Sequence, residues 1–415
     1  MLFYINTYNQ AQVHILETVK VAMVNFDCVV VGGGMVGAAS ALSLAELGLT
    51  VAVVEQAAPK AYSVEQPFDL RVSAISLASE HLLRQLGAWQ QLVDWRCCPY
   101  QKLGVWEQAF AYTEFNAEDI KQSHLGHIVE NRLLQLSLWQ KLEHHTNITL
   151  FCPETLNAVN QNPEYVELAL SQSKIRAKLL VAADGANSKV RQLVNIGITG
   201  WDYQQSAMLI NVETKAAQEN ITWQQFFETG PVAMLPLAGN SEIGGYASLV
   251  WYHQREEIKR LASLTNSQLQ KEITDNFPQR LGEVKVIDKA AFPLTRRHAN
   301  HYHKGRVVLL GDAAHTINPM AGQGVNLGFK DVTGLNTMIA NAISNSDCWH
   351  DPSVLARYEK QRRKDNLLMM STMDALYSAF SHPSPMIKTA RNVGLLFANK
   401  VPFFKNKALA YACGI

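Results

Sequence analysis

The sequence predicts an α/β fold in which a parallel-sheet domain is interrupted by an antiparallel sheet and followed by helices. Three observations predict it. Short β-branched runs at residues 26–31 and 307–310 are typical of buried parallel strands, and each is followed at once by glycine. After Gly200, alternating aromatic segments separated by turn residues indicate antiparallel strands. The last third of the chain has a helical pattern.

The composition is that of a globular protein with enough residues for a large core: 415 residues, 47% hydrophobic and 18% charged. The 37 basic and 36 acidic residues leave a net charge of +1, which argues against a nucleic-acid partner. The six cysteines form no C-x-x-C pair, so we expect reduced thiols in a cytoplasmic protein. Residues 1–22 show no clear period and are predicted to be a non-core extension, with Met23 as the alternative start.

The first glycine turn lies in a predicted strand–helix–strand unit whose second strand ends at Glu55. In Gly32-x-Gly34-x-x-Gly37, Gly32 permits the tight turn, Gly34 lets backbone N–H groups approach a pyrophosphate, and Gly37 lets helix and strand pack closely. Glu55 follows at the spacing that suits hydrogen bonds from an adenosine ribose. The unit predicts a dinucleotide site, with an ordinary glycine turn as the alternative.

Two later loops are expected to meet the same ligand. Asp184-Gly185 follows an apolar strand at residues 179–183, and Gly311-Asp312 follows the strand at 307–310. Asp312 suits a polyol such as the ribityl chain of FAD, whereas Asp184 alone has turn capping as its alternative. The loop of Pro319, Gly322, Gly324 and Asn326 is predicted to enter a helix. The glycines of this loop permit close approach to a flat ring. The positive N-terminus of the helix that follows favours an anionic reduced flavin.

Between these loops we predict a helix at residues 128–145, a strand at 166–170 and four strands of the antiparallel sheet. Those four are predicted at residues 208–212, 223–227, 232–235 and 246–252. The aromatic segments 223–227 and 246–252, with Pro293, form a candidate wall of a pocket, and an ordinary core is the alternative.

These motifs resemble those of the class A flavin aromatic hydroxylases, the group of para-hydroxybenzoate hydroxylase, and within it the ubiquinone-biosynthesis hydroxylases. The resemblance runs from about Met23 to the C-terminus. Its carriers are residues 31–37, 69–75, 183–188, 292–294 and 311–326, with softer matches at 222–226, 248–252 and 294–298. It implies a Rossmann-like FAD-binding fold of the para-hydroxybenzoate hydroxylase type with an antiparallel-sheet substrate domain and a helical C-terminus.

The resemblance also implies how the cofactor is held and used. Arg71 and Arg132 would contact the FAD, and Asp184 would help to hold its pyrophosphate. NADPH or NADH would reduce the flavin, dioxygen would form a C4a-hydroperoxide on it, and one oxygen would pass to a polyprenylated benzoquinol ring. The motifs leave open another ring position or aromatic substrate, a reductase or epoxidase of isoprenoid lipids, and a non-catalytic prenyl-lipid-binding protein.

The predicted domains are discontinuous. Residues 23–100, 128–200 and 290–365 form the FAD-binding domain, residues 101–127 and 201–289 the substrate-binding sheet, and residues 366–415 a helical region. No Asp or Glu follows Asp374, whereas five basic residues do. This composition favours either a packed helix with a solvated basic face, or attachment to the inner face of the cytoplasmic membrane or to a complex of quinone-pathway enzymes.

The histidines give no acid–base assignment. His315 lies close to Asp312 in the sequence, which invites a catalytic role, but we expect a structural one. His298, His301 and His303 have the spacing of metal ligands, yet nothing else in the sequence completes a site. We therefore expect a solvated loop there and no bound metal.

Overall fold

The computed structural model describes residues 24–215, 220–241, 244–317, 322, 324–382 and 384–415. The expected extension at residues 1–22 and the predicted site residue Pro319 lie outside them. The strands are β1 Val24–Val31, β2 Val51–Val54, β3 Val72–Ser76, β4 Cys98–Tyr100, β5 Lys102–Trp106, β6 Thr113–Asn116, β7 Gly126–Glu130, β8 Ile148–Phe151, β9 Leu156–Gln161, β10 Val166–Leu170, β11 Lys174–Ala182, β12 Ile198–Thr214, β13 Ile221–Gln225, β14 Val232–Ser241, β15 Gly244–Gln254, β16 Val284–Ala299, β17 His303–Lys304, β18 Val307–Leu309 and β19 His315–Thr316. The helices are α1 Met35–Ala45, α2 Leu77–Gln85, α3 Trp89–Trp95, α4 Asn131–His144, α5 Lys189–Leu193, α6 Arg255–Ser263, α7 Asn266–Asn276, α8 Gly324–Ser344, α9 Pro352–Ser381, α10 Pro385–Lys400 and α11 Pro402–Cys413.

The first sheet has the order β17-β18-β11-β1-β2-β8, and β10 and β9 continue it from β11. The strands from β18 to β8 run parallel. Val51–Val54 is buried along its whole length, as expected of a β-branched strand covered on both faces. Helix α1 is buried from Gly37 to Ala45, because its small residues pack against the sheet and against α4 and α8.

The second sheet has the order β19-β16-β12-β15-β14-β13-β5-β6. Its pairs are antiparallel except for β13 and β5, which run parallel. Successive side chains of a strand point to opposite faces of the sheet, so the two faces of this sheet pack against different elements. Met208 and Trp223 pack with Ile258 and Leu269 of α6 and α7 on the outer face. Val250 packs with Phe380 of α9 on the inner face.

A third sheet of order β3-β7-β4 corrects the helix predicted at residues 128–145. Ile128 pairs with Ala74 of β3, so residues 126–130 form an extended strand and the helix begins only at Asn131. The five residues of β7 are all buried. A short apolar run that is buried on both sides has the same sequence pattern as a buried helix. The prediction therefore assigned the strand and the adjoining helix to one element.

The structure also shows where the sheets cross the domain limits expected from the sequence. Strand β12 begins at residue 198 and strand β16 ends at residue 299, so both extend beyond the limits of 201–289 expected for the inserted sheet. Helix α9 passes through the limit at residue 365 without a break. Among the described residues, no helix combines the length and the apolar character that crossing a membrane requires.

Candidate dinucleotide site at the strand ends

The carboxyl ends of four parallel strands align at one edge of the first sheet. In register, Val31 of β1 lies between Val54 of β2 and Ala182 of β11, and Ala182 lies beside Leu309 of β18. The glycine turn, Glu55, Asp184 and Asp312 each follow one of these ends within three residues. Ligands of open α/β sheets bind outside this edge. The fold therefore brings the three predicted loops together.

The three glycines of the first turn differ in what surrounds them. Gly32 has a φ of +101°, and a Cβ there would lie 2.4 Å from the carbonyl oxygen of Ala183. A Cβ at Gly37 would lie 1.9 Å from the carbonyl oxygen of Gly32. A Cβ at Gly34 would meet no atom within 4 Å. Gly32 and Gly37 are thus required for packing, whereas Gly34 keeps space open at the helix end, as a bound phosphate needs.

The N-terminus of α1 suits an anion. Gly34 at its N-cap has no side chain to cap the helix, and the first turn contains no acidic residue. The first N–H groups of a helix lack intrahelical acceptors and carry partial positive charge, so they favour a phosphate.

Glu55 is engaged with the backbone of this turn. Its Oε2 accepts a hydrogen bond from the Gly33 N–H at 2.5 Å, and its Oε1 accepts one from the Gln56 N–H at 2.8 Å. A carboxylate has about four acceptor positions, so a ribose hydroxyl still finds lone pairs there.

The Asp184 loop is held by its own contacts. Asp184 accepts hydrogen bonds from the Ser188 hydroxyl at 2.5 Å and the Val190 N–H at 3.0 Å, which makes it a capping residue for α5. Its side chain is nevertheless half-buried, and a Cβ at Gly185 would meet no atom within 4 Å. The loop leaves open space in which a ligand could lie, and the pyrophosphate contact of Asp184 stays a prediction.

Asp312 places a carboxyl group at the site. The side chain reaches solvent, but enough protein atoms lie around the carboxyl group to desolvate it in part. This desolvation raises the pKa of Asp312, while the nearby charges of His315 and Arg71 lower it. The Arg71 side chain is also exposed and has no hydrogen bond to the described residues. A carboxyl group in this position is suited to accept hydrogen bonds from ligand hydroxyl groups.

Asn326 anchors the start of α8. It is fully buried, its Oδ1 accepts hydrogen bonds from the Ser76 N–H at 3.0 Å and the Ser79 hydroxyl at 2.7 Å, and its Nδ2 donates to the Ala74 carbonyl at 2.8 Å. Both ends of the amide are thus occupied by β3 and α2. In this structure Asn326 positions the loop, and the predicted contact of its side chain with the cofactor stays a prediction.

Two glycines shape the loop before Asn326. Gly322 has a φ of +60°, a left-handed conformation that favours glycine. Gly324 begins α8, and a Cβ there would meet no atom within 4 Å. The first turn of α8 has no acidic residue. This helix end therefore carries a partial positive charge and has open space at Gly324, and its contact with the edge of a flavin ring stays a prediction.

Arg132 is paired within the protein. Its Nε lies 3.1 Å from Asp69, and its guanidinium donates to the carbonyl of Lys60 at 2.9 Å. One turn further along α4, Gln135 donates from Nε2 to the Gly33 carbonyl at 3.0 Å. Sequence reasoning missed Gln135, although its position three residues after Arg132 places both on one face of α4.

Arg191 has a role that the sequence alone does not indicate. It is buried, and it donates hydrogen bonds to the carbonyls of Ala313 at 2.8 Å and Ala186 at 2.9 Å. It therefore ties the loop after β11 to the loop after β18.

The contacts of His315 fit the expected structural role. It is buried and lies 2.5 Å from Asp331, which also accepts hydrogen bonds from Arg362 and Asn366. The Asp331 carboxylate further accepts the Gly311 N–H at 3.0 Å, so this network supports the turn before Asp312 from behind.

The three spaced histidines do not share a site. His298 lies 3.0 Å from the Tyr302 hydroxyl and is buried, whereas His301 and His303 both contact Glu359. The expected solvated loop is thus wrong for His298, because β16 carries it into the core.

The aromatic wall predicted from the sequence is divided by the pleat of the sheet. Trp223 and Trp251 face α6 and α7 in the outer core, so they do not line the face that meets the dinucleotide loops. Tyr252 belongs to the inner face, and Tyr246 packs against Phe68 with ring centroids 4.9 Å apart. Pro293 is exposed. Whether each aromatic residue lines a pocket or packs in a core depends on its burial and on the strand register, and neither can be read from the sequence.

This sheet edge, with a dinucleotide turn and two further ligand loops, defines a flavin-binding oxidoreductase fold. At the three glycines that a large cofactor must approach, Gly34, Gly185 and Gly324, an added Cβ would meet no atom within 4 Å, so the residues present fit FAD. A family model described as an FAD binding domain matches residues 25–370. The chain belongs to this FAD binding domain family.

Comparison with known proteins agrees with this assignment. The chain is 46% identical over 390 residues to the 3-demethoxyubiquinol 3-hydroxylase of Escherichia coli, which covers 94% of this chain and 98% of the relative. It is 34% identical over 390 residues to the ubiquinone hydroxylase UbiL of Rhodospirillum rubrum, covering 94% and 89%. The crystal structure of the p-nitrophenol 4-monooxygenase PnpA of Pseudomonas putida has a TM-score of 0.75 at 19% identity, covering 93% of this chain and 97% of that one. The predicted fold class and the FAD cofactor are confirmed.

Proposed function

We propose that this protein is an FAD-dependent monooxygenase that hydroxylates a polyprenylated benzoquinol ring in ubiquinone biosynthesis, with 3-demethoxyubiquinol as its substrate. NADPH or NADH serves as the electron donor and dioxygen as the co-substrate. The observation that carries the proposal is the 46% identity to the Escherichia coli enzyme across 98% of its length. That span includes the inserted sheet as well as the cofactor loops, so it supports the substrate and not the cofactor alone.

The chain's own residues bind and orient the cofactor in this proposal. FAD supplies the electron transfer and oxygen activation that amino-acid side chains lack. The N-terminus of α1 holds the pyrophosphate, Glu55 accepts from the ribose, and Asp312 accepts from the ribityl hydroxyls. Arg71, exposed near Asp312, adds a fork of donors for phosphate or ring-edge oxygens.

The inner face of the second sheet suits the prenyl chain. Leu209, Leu235 and Phe292 are partly buried there and pack in one cluster with Tyr377 of α9 and Leu395 of α10. An apolar surface that is only partly covered gains free energy when a hydrocarbon chain removes it from water. The prenyl tail therefore lies between this sheet face and α10.

The outer side of α10 suits a membrane surface. Met386, Val393 and Phe397 are 81%, 56% and 58% exposed, and their spacing along the helix puts them on one face. Lys400 continues this face, and Phe403 and Lys407 of α11 are also exposed. Exposed apolar side chains flanked by lysines, with no acid after residue 374, match an anionic lipid surface. The occupant we propose is the cytoplasmic membrane that holds the prenylated substrate.

Oxygen consumption by the purified yellow protein tests the reaction. With NADPH or NADH and a short-chain demethoxyubiquinol, we expect oxygen uptake and a product heavier by one oxygen atom in mass spectrometry. A variant that folds without FAD, such as Gly34→Ala, is the control. Hydroxylation of a different ring position or of unprenylated phenols only would overturn the substrate assignment and keep the enzyme class. Absence of bound flavin would overturn both.

Vesicle flotation tests the membrane contact. Vesicles containing anionic lipid should carry the wild-type protein upward, and Lys400→Glu with Lys407→Glu should leave it in the bottom fraction. The matched control is Lys259→Glu with Lys271→Glu, which reverses two exposed lysines on α6 and α7, on the far side of the second sheet. Equal flotation of the two double variants would contradict the contact.

A further inference from the structure

We propose that Glu80, His124 and His127 form a zinc site that is separate from the flavin loops. Glu80 lies on α2, His124 in the loop before β7, and His127 on β7. Their ligand atoms lie within 4.8 Å of one another. Glu80 Oε2 is 2.8 Å from His124 Nε2 and 3.2 Å from His127 Nδ1, so one oxygen faces both imidazoles.

The spacing of these atoms is close to what zinc requires. Zinc binds imidazole nitrogen and carboxylate oxygen at about 2.0–2.2 Å, which in a tetrahedron places the donor atoms roughly 3.4 Å apart. The two nitrogen–oxygen distances are already near that value, so an ion would enter with small shifts of the side chains. Two histidines and one carboxylate are also a donor set that binds zinc in preference to harder cations.

His127 supplies the observation that points to a ligand. The residue is 8% exposed, and its Nδ1 is buried. This nitrogen lies 3.2 Å from Glu80 Oε2 but makes no well-aligned hydrogen bond in the described structure. A buried ring nitrogen without a well-aligned hydrogen bond is unfavourable, and a metal ion would satisfy it. The Trp89 ring, 4.9 Å away edge to face, fixes the orientation of this imidazole.

His124 is oriented by its other nitrogen. The His124 Nδ1 lies 2.8 Å from the Ser123 hydroxyl. When Nδ1 carries the proton and donates it to that oxygen, Nε2 presents its lone pair towards Glu80. A hydrogen bond on the second ring nitrogen is the usual support of a metal-binding histidine.

Arg84 is the group that competes with an ion for Glu80. It contacts Glu80 Oε1, at 2.8 Å from its Nε, and leaves Oε2 to the histidines. Its side chain is 54% exposed and can turn into solvent, so it does not block the site. A cleft of about 730 Å³, lined by Glu80, His124 and Gln122, gives water access to the fourth coordination position.

The ion would brace α2 against β7. Helix α2 begins beside Ser76 and Ser79, which hydrogen-bond to Asn326 at the start of α8. A zinc ion at Glu80 therefore supports the helix that holds one of the flavin loops. Its effect is structural and should appear in the melting temperature of the flavin-bound protein.

Zinc titration of the tag-free, flavin-bound protein tests the site. After treatment with a chelator and its removal, ZnCl₂ is added in competition with a chromophoric chelator, and bound metal is measured by mass spectrometry. We expect about one zinc per chain and a higher melting temperature. His124→Asn and Glu80→Gln should lower the affinity by about 100-fold or more.

The matched control is His81→Asn, an exposed histidine on the same helix and beside the same cleft. It should bind zinc like the wild type. Retention of the yellow colour in every variant shows that the fold is intact. Zinc affinity that is equal in the wild type and in His124→Asn, or a melting temperature that zinc leaves unchanged, would overturn the proposal and leave a hydrogen-bonded cluster only.

Discussion

Arg191 joins the loop after β11 to the loop after β18 through a hydrogen bond of 2.8 Å from its guanidinium to the Ala313 carbonyl. A second bond, 2.9 Å long, holds the Ala186 carbonyl of its own loop. Asp184 and Asp312 therefore keep a fixed separation, since each lies within two residues of an atom that Arg191 holds. An elongated cofactor that contacts both loops depends on this separation.

Replacement of Arg191 should weaken FAD binding and should have a smaller effect on the parts of the fold away from these two loops. Arg191→Ala removes the donor of the buried hydrogen bond to the Ala313 carbonyl, at a cost of about 1–3 kcal/mol, and of the part-buried hydrogen bond to the Ala186 carbonyl. We expect the dissociation constant for FAD to rise by about tenfold or more, measured by titration of the flavin-free protein. Lys189→Ala, an exposed residue of the same helix, is the control. Equal FAD affinity of the two variants would show that the loops hold their positions without Arg191.

Alanine at Gly34 and at Gly37 should separate cofactor binding from folding. At Gly37 the new Cβ would lie 1.9 Å from a backbone oxygen, so Gly37→Ala should lower the melting temperature and the yield of folded protein. At Gly34 the Cβ meets open space, so Gly34→Ala should keep its circular dichroism and lose flavin colour, because the methyl group occupies the place of the phosphate. The idea fails if Gly34→Ala retains a full complement of FAD.

The cofactor loops could be predicted from the sequence because their chemistry is local. A β-branched strand, a glycine turn and an acid at fixed spacing define the turn at Gly32 without knowledge of the rest of the chain. The contacts of Gln135 and Arg191 could not be predicted in this way. Each depends on which backbone carbonyl lies beside it after folding, more than one hundred residues away in the sequence.

The faces of the inserted sheet show a second limit. Trp223 and Tyr252 are both aromatic residues of strands in the inserted sheet, yet they lie on opposite faces. A shift of one residue in the register would exchange the faces, and the sequence pattern of a sheet buried on both sides does not fix it. The strand at residues 126–130 was missed for a similar reason, because its pairing with β3 is a contact of long range.

The stability of the folded protein should fall as the pH drops below 6.5, through His298. Burial and nearby positive charges, first that of His315, lower the pKa of His298 to about 4. The unfolded chain binds this proton near pH 6.5 and the folded chain only near pH 4, so folding becomes less favourable across that window. The loss reaches about 3 kcal/mol at its lower end, since one pKa unit is about 1.36 kcal/mol.

Urea unfolding at several pH values measures this effect. His298→Gln removes the titrating group and should flatten the dependence between pH 6.5 and 4. His301→Gln, whose side chain is 71% exposed, should leave it unchanged. The assignment to His298 is wrong if the two variants show the same slope.

Asp331 and Asp365 provide a matched pair of aspartates, because both contact Arg362. Asp331 is fully buried, whereas the side chain of Asp365 is 51% exposed. Asp331→Asn leaves a buried guanidinium without its counter-charge and should destabilise the protein by about 3–5 kcal/mol. Asp365→Asn should change the free energy of unfolding by about 1 kcal/mol or less. Similar losses in both would mean that the network behind Gly311 contributes little.

The basic residues of α10 differ in role, which changes how the membrane contact must be tested. Arg391 is buried and forms an ion pair with Glu107, and Asn392 donates to the same carboxylate at 2.6 Å. Lys388 is a surface residue whose partner, Glu228, is 3.4 Å away. Arg391 therefore fixes α10 to the body and does not face lipid.

Charge reversal at Arg391 should accordingly unfold the C-terminal region and not merely release the protein from vesicles. Arg391→Glu places two carboxylates together in a buried position, and we expect a loss of about 3–5 kcal/mol in the free energy of unfolding. Lys388→Glu should leave the melting temperature within a few degrees, because an exposed pair contributes about 1 kcal/mol or less. Thermal melting and flotation of both variants provide the measurement. If Arg391→Glu melts like the wild type but no longer floats, Arg391 contacts lipid directly and the buried pair with Glu107 is not what holds α10 in place.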